Sequence, residues 1–142
     1  MEISDIRRRL RGAIEQARVR AGQRRAAVDA AARDYEQFLA GRAIPVFHDV
    51  ATVLAGEGHL FKVFTPAGSV RLASERSSDE YIELFLDDSA DPPEVVGRTS
   101  RGRGRRMVTS ERPVRERTPI AALSEDDVVS FLVEEIVPLI ER

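Results

Sequence analysis

The sequence predicts an α+β fold: a long N-terminal helix, a short second helix, an antiparallel β-meander of three to five strands and a C-terminal amphipathic helix. Three observations predict it. Small or apolar residues recur at helical spacing over residues 10–38, apolar and polar residues alternate over residues 59–86 between turn signals, and a wide apolar stripe follows residues 128–140. The length of 142 residues is typical of one domain.

The first element is a helical arm whose stripe alternates spacings of four and three, as in a coiled-coil seam, with Arg24 as the one interruption. Gly12 and Gly22 each cost a helix about 1 kcal/mol relative to Ala, so a contact must offset them. Two interpretations stay open: a dimerising coiled coil, or a helix folded back on its own domain. We expect the arm over residues 1–43 and an α+β domain over residues 44–142. The residues predicted to mediate self-association are Leu10, Ile14, Ala17, Ala21, Val28, Ala31, Tyr35 and Phe38.

Glycine and proline predict where this helix ends and the next begins. Gly41 fits a helix C-terminus, where a left-handed residue closes the last turn. Pro45 suits the first turn of a second helix over about residues 45–55, because its missing N–H is no loss there. Gly56 and Gly58 are expected to end that helix.

The C-terminal helix is predicted to begin at Ser124, whose side chain forms a capping box with Asp127. Pro138 is expected to kink or end it near Val137. Its apolar stripe is wide, which indicates contact on two sides, with the sheet and with a partner.

Three strands are predicted over residues 59–65, 70–74 and 81–86. Alternation assigns one face of the sheet to Val70, Leu72, Ile82, Leu84 and Leu86. The opposite face mixes charge with aromatic rings, at Arg71, Tyr81, Glu83 and Phe85. A face of this kind is expected to be partly covered by the protein's own helices, by a second subunit or by a ligand, and we favour the helices.

A hairpin with an arginine-rich tip is predicted next, from β segments at residues 94–98 and 106–109 joined by the loop 99–105. Residues 98–117 hold eight Arg and two acids, although the whole chain has 21 Arg and one Lys, a bias that weakens the signal of any one cluster. The hairpin could bind nucleic acid, dock on an acidic protein, or pair with the chain's own acidic segments 79–91 and 125–135. The residues concerned are Arg98, Arg101, Arg103, Arg105 and Arg106.

The sequence offers little that is typical of an enzyme. With no Cys, thiol catalysis, disulfides and thiolate metal sites are excluded. It contains no nucleophile elbow, Walker loop or dinucleotide fingerprint, and the spacing of His48 and His59 matches no metal-binding pair on a helix face. We therefore expect no catalytic residue, no metal and no cofactor.

No uninterrupted apolar run of about 18 residues and no signal-peptide core occur, which predicts a cytoplasmic protein without a membrane contact. The expected function is that of a non-catalytic, self-associating adaptor, a homodimer or homo-oligomer with a possible protein partner. The alternative is a DNA- or RNA-binding protein that uses the arginine-rich hairpin.

Overall fold

The computed structural model describes residues 1–141 and confirms the predicted α+β fold. Helix α1 spans Ile3–Phe38, a π-helical segment spans Leu39–Ala43, and helix α2 spans Ile44–Gly56. The strands are β1 Phe61–Phe64, β2 Ser69–Ser74, β3 Tyr81–Asp87, β4 Glu94–Arg103 and β5 Arg106–Pro113. A short 3-10 turn, Ile120–Ala122, precedes helix α3, Glu125–Ile140.

The five strands form one open antiparallel sheet in chain order, β1-β2-β3-β4-β5. The register places Val70 opposite Leu84 and Leu72 opposite Ile82, so the predicted hydrophobic face is continuous across the strands. Helices α2 and α3 both pack on this face. The core therefore lies between the helices and one side of the sheet. Its largest fully buried side chains are Phe38, Phe47, Phe131, Leu72, Ile82, Leu84, Leu132 and Leu139.

Helix α3 is held on the sheet at two points. The ring of Phe131 packs directly over Gly97 of β4, at a place where a Cβ would overlap the ring. Next to it, the Glu135 carboxylate accepts hydrogen bonds from the Arg112 guanidinium of β5 and from the Thr99 hydroxyl of β4. Gly97 is thus the position that allows the close approach of helix and sheet.

The predicted helix end at Gly41 is wrong. The backbone continues through the π segment into α2, and the Ile44 N–H donates to the carbonyl of Leu39, five residues earlier. Pro45 has no N–H, and its ring would clash with the carbonyl four residues earlier in a regular α-helix. The wider π turn relieves that clash, so α1 and α2 form one helical rod.

Helix α3 has the predicted capping box: the Ser124 hydroxyl accepts from the Asp127 N–H, and the Asp127 carboxylate accepts from the Ser124 N–H. Of the two effects expected of Pro138, a kink or an end near Val137, the end is wrong, because the helix continues to Ile140 with Pro138 in its last turn. Proline removes a single hydrogen bond there, from its own position to Glu134, which is exposed.

The arginine-rich hairpin is confirmed, but its predicted loop, residues 99–105, is too long. Strand pairing continues to Arg103 opposite Arg106, which leaves a two-residue turn at Gly104 and Arg105. Gly104 has a φ of 65°, a conformation that favours glycine and that short hairpin turns require.

One stretch of the Ile3–Gly56 helix has the length and composition of a membrane span, with a mean hydropathy of 1.3, and 22% of it is buried inside the protein. A single helix of this kind is weak evidence for a membrane span, because core helices of soluble proteins have the same length and composition.

The end of α1 contributes Ala31, Tyr35 and Phe38 to the core. The division into an arm, 1–43, and a domain, 44–142, stays a prediction.

The packing of Phe131 on Gly97 predicts that Gly97→Ala destabilises the fold by about 1–3 kcal/mol, because the added methyl displaces a buried ring. Urea denaturation measures the change. Gly102→Ala is the matched control, since it lies on the same strand, an added Cβ would only make an ordinary contact with the Met107 sulfur at 3.8 Å, and the change is expected to be near neutral. Adding Phe131→Leu to Gly97→Ala should cost less than the sum of the two single changes. Additive costs would contradict the contact.

Candidate interaction surfaces

The predicted self-association stripe is divided by the structure into a buried and an exposed part. Ala31, Tyr35 and Phe38 are buried in the core of the same chain. By contrast, Leu10 and Ile14 are 57% and 50% exposed. Between these groups, Ala17 is exposed, and Ala21 and Val28 are partly buried. The C-terminal end of the helix packs on its own domain, as the second interpretation expected. The part before it does not contact the domain and leaves its stripe exposed to solvent.

We call residues 3–25 the outer arm. Apart from Asp5, Ala21 and Gly22, which are partly buried, every residue in it is exposed. At 1.5 Å per residue the outer arm is about 34 Å long. It also exposes Ile3 and Ile6, which the sequence reasoning missed because the stripe was recognised only from residue 10 onward.

A column of arginines lies beside this apolar stripe. At 100° per residue, Arg7, Arg11, Arg18 and Arg25 fall within about 40° of one another on the helix surface. Among the described residues, none of them forms an ion pair, and the one pair within the outer arm joins Arg8 to Asp5. The outer arm as a whole carries eight arginines and two acids.

The second face of the sheet is open, and the expected cover by the protein's own helices is wrong. Both α2 and α3 pack on the opposite face, because that face carries the continuous aliphatic set. Helix α1 reaches the open face only at its edge, where the Tyr35 hydroxyl donates to the Gly68 carbonyl at 2.6 Å. A shallow cavity of about 540 Å³ lies at this edge, between Tyr35, Ser69, Phe85 and Arg98.

The mixed side chains of the open face contact one another. The buried Glu83 carboxylate accepts from the Ser69 hydroxyl and from the Arg71 guanidinium, each at 2.8 Å. The same guanidinium lies 3.9 Å above the ring of Tyr81. Since each arginine can cover an aromatic ring and neutralise an acid, this face needs no helix to shield it.

Arg98 belongs to the open face and not to the hairpin tip. Its guanidinium lies 4.7 Å above the ring of Phe85, and its Nε donates to Glu111 at 2.9 Å. That hydrogen bond raises the pKa of Arg98 above its ordinary value. Arg98 is therefore engaged within the sheet, unlike the four arginines that follow it.

The end of the hairpin extends past the rest of the sheet. Strand β3 begins at Tyr81, opposite Ser100, so beyond that pair β4 and β5 form a two-stranded ribbon, residues 101–108. No hydrogen bond or ion pair joins the ribbon's arginine side chains to another described residue. The acids of α3 instead pair with Arg112 and Arg115, so the proposed pairing of the tip with segments 79–91 and 125–135 is not observed. The arginines of the ribbon are Arg101, Arg103, Arg105 and Arg106.

No metal centre is assembled within residues 1–141, where no group of three or more His, Asp or Glu side chains could hold an ion. His48 is exposed and His59 is partly buried. Comparison with protein-family models, with curated proteins and with solved structures finds no match for this chain.

Burial and the nearby charge of Glu83 raise the pKa of the Tyr35 phenol above its usual range. We therefore expect the Tyr35 phenol to ionise late in an alkaline titration followed by ultraviolet absorbance. Because the folded-state pKa is raised, this group stabilises the fold below the ordinary tyrosine pKa, and the contribution is lost as pH rises through the folded value. Tyr35→Phe should remove the late phase. A late ionisation that persists in Tyr35→Phe would contradict its assignment to Tyr35.

Proposed function

We propose that the protein is a non-catalytic, self-associating adaptor whose outer arm makes the intermolecular contact. The observation that carries the proposal is the outer arm itself, a helix that exposes Ile3, Leu10 and Ile14 to solvent while its own domain covers none of them. Large aliphatic side chains in a row along one helix are typical of a helix–helix interface.

The stability of the outer arm supports this proposal. An isolated helix of this length is marginal in water, and most helical stability in proteins comes from packing of an apolar face. Gly12 and Gly22 weaken this one further, by about 1 kcal/mol each relative to Ala. A packing partner along the stripe would supply the missing stabilisation.

The width of the stripe favours a single helical partner. From Ile6 at one edge to Ile14 at the other, the residues of the apolar stripe occupy about 80° of the helix surface, and Val19, which is also exposed, lies on the opposite side of the helix. A stripe this narrow matches a coiled-coil seam, whereas a helix that packs against a domain core presents a broader face.

The proposal predicts that Leu10→Glu combined with Ile14→Glu converts an oligomer into a monomer at about 50 μM, a concentration at which an obligate interface is saturated. Association would then have to bury the two introduced carboxylates without a partner of opposite charge, which is costly. Sedimentation equilibrium or light scattering measures the mass.

The matched control is Gln16→Glu combined with Gln23→Glu, which adds the same charge on the opposite side of the helix, where both residues are exposed. This control should keep the wild-type mass. A wild-type protein that is monomeric at this concentration would overturn the proposal, as would equal masses for the two double variants when both differ from wild type.

A second candidate function, nucleic-acid binding, is favoured by one observation, the two-stranded ribbon with arginines that no described acid neutralises. A β-ribbon fits the major groove of duplex DNA, and guanidinium groups neutralise phosphates with release of counterions. Gly102 and Gly104 leave its end narrow.

Replacing Arg101, Arg103, Arg105 and Arg106 by Ala should abolish binding to duplex DNA or single-stranded RNA in fluorescence anisotropy. The wild-type affinity should fall steeply with salt, with a slope of about 0.9 per phosphate contact for a duplex. The control removes four exposed arginines elsewhere, at Arg9, Arg20, Arg33 and Arg76. Absence of wild-type binding at low salt, or equal loss in both variants, would contradict a ribbon site.

A further inference from the structure

Helix α3 leaves a row of aliphatic side chains in solvent. Val129, Val133 and Val137 are 38%, 58% and 42% exposed, and their spacing of four residues places them in one line along the helix. The buried residues of α3 face the sheet on the other side, so the row is not used by the core. This row is the second exposed aliphatic row of the molecule, beside that of the outer arm.

Acidic side chains lie next to this valine row. Asp126 and Glu134 lie on the flank of α3 beside this row, together with Ser130, and Glu141 follows at the C-terminal cap of the helix. Glu134 pairs with Arg112, while Asp126 and Glu141 form no ion pair with another described residue. The outer face of α3 thus joins an apolar row to an acidic column.

The outer arm has the complementary arrangement. Its apolar row, which includes Leu10 and Ile14, lies beside the column of unpaired arginines, among them Arg11 and Arg18. The two surfaces also have similar lengths, about 27 Å from Arg7 to Arg25 and about 22 Å from Asp126 to Glu141. Their charges are opposite in sign and their apolar rows are of comparable extent.

Direct pairing of two outer arms is disfavoured by the same arginines. Arg11, Arg18 and Arg25 recur every seven residues, so an antiparallel pair in a seam-matching register sets this column of one copy against the same column of the other. In a parallel pair, Arg7 and Arg24 lie at seam positions, so each faces the same arginine of the other arm. Like charges in these positions are destabilising.

We propose that the outer arm of one copy docks on the outer face of α3 of a second copy, and that the second copy returns the contact. This inference rests on the proposed self-association and names its mode. The apolar rows pack against each other, and the arginine column of each arm faces the acidic column of the partner's α3. Such an exchange is isologous and closes as a two-fold dimer with two equal contacts.

Two charge-reversal variants test this arrangement by sedimentation equilibrium. The first changes the arm, Arg11→Glu, Arg18→Glu and Arg25→Glu. The second changes α3, Asp126→Lys, Ser130→Lys and Glu141→Lys, and leaves the Glu134–Arg112 pair intact. Each variant alone is expected to dimerise more weakly by about tenfold or more, because attraction between the columns becomes repulsion.

An equal mixture of the two variants should recover the dimer, since each arm then meets an α3 of opposite charge. Recovery also shows that both chains fold. Reversing Arg103, Arg105 and Arg106 to Glu is the matched control for the arm variant, with the same change in charge outside both surfaces, and it should keep the wild-type mass. If far-ultraviolet circular dichroism shows that the α3 variant does not fold, Val133→Lys replaces it in each measurement.

The outcomes separate this inference from the self-association on which it rests. A dimeric wild type whose α3 variant dimerises equally well overturns docking on α3 while self-association stands. Failure of the mixture to recover the dimer also overturns it. A monomeric wild type overturns both proposals together.

Discussion

The direction of the outer arm depends on the junction at Leu39–Ala43, where one helix continues into the next without a break. Phe38, just before the junction, is completely buried in the core. Arg42 donates to the carbonyls of Ala121 and Leu123, and its guanidinium lies 5.2 Å above the Phe38 ring. Because the backbone is helical on both sides of these contacts, the core fixes the direction in which the arm leaves the domain. A loop at this place would let the arm fold back and cover its own stripe.

A second constraint is that α2 and α3 both pack on the same face of the sheet. Gly97 lets Phe131 approach the strands closely, and the Glu135–Arg112 contact holds α3 beside it. The other face is then protected by its own side chains. Arginines stacked on Tyr81 and Phe85 are less strongly hydrated than lysines would be, so they shield the rings and still neutralise the neighbouring carboxylates. This explains how aromatic residues can lie on a face that no helix covers.

The sequence predicted the elements whose signals are periodic, because alternation and helical spacing directly reflect which side of an element is buried. It also predicted the capping box of α3, which depends on two residues three positions apart. It failed where the backbone conformation or strand pairing of neighbouring residues overrides the preference of a single glycine. Gly41 is typical of a helix end, yet the π turn beside Pro45 keeps the chain helical. Gly102 is typical of a loop, yet pairing with Met107 across the hairpin keeps it in a strand. The heptad stripe could not be divided in advance either, because Tyr35 in a core and Leu10 in solvent obey the same spacing.

The net charge of −2 is the sum of two parts of opposite charge, and this division favours association. The outer arm carries +6, and all other residues together carry −8, so the two parts of one chain are of opposite sign. Within a single copy the continuous helix holds the arm away from the domain, and among the described residues its arginines pair with no acid outside the arm. Surface charges act mainly within a Debye length of about 8 Å, so this attraction becomes effective only when another surface approaches the arm. A continuous helix that extends away from a domain of opposite charge therefore favours contact between copies over contact within one.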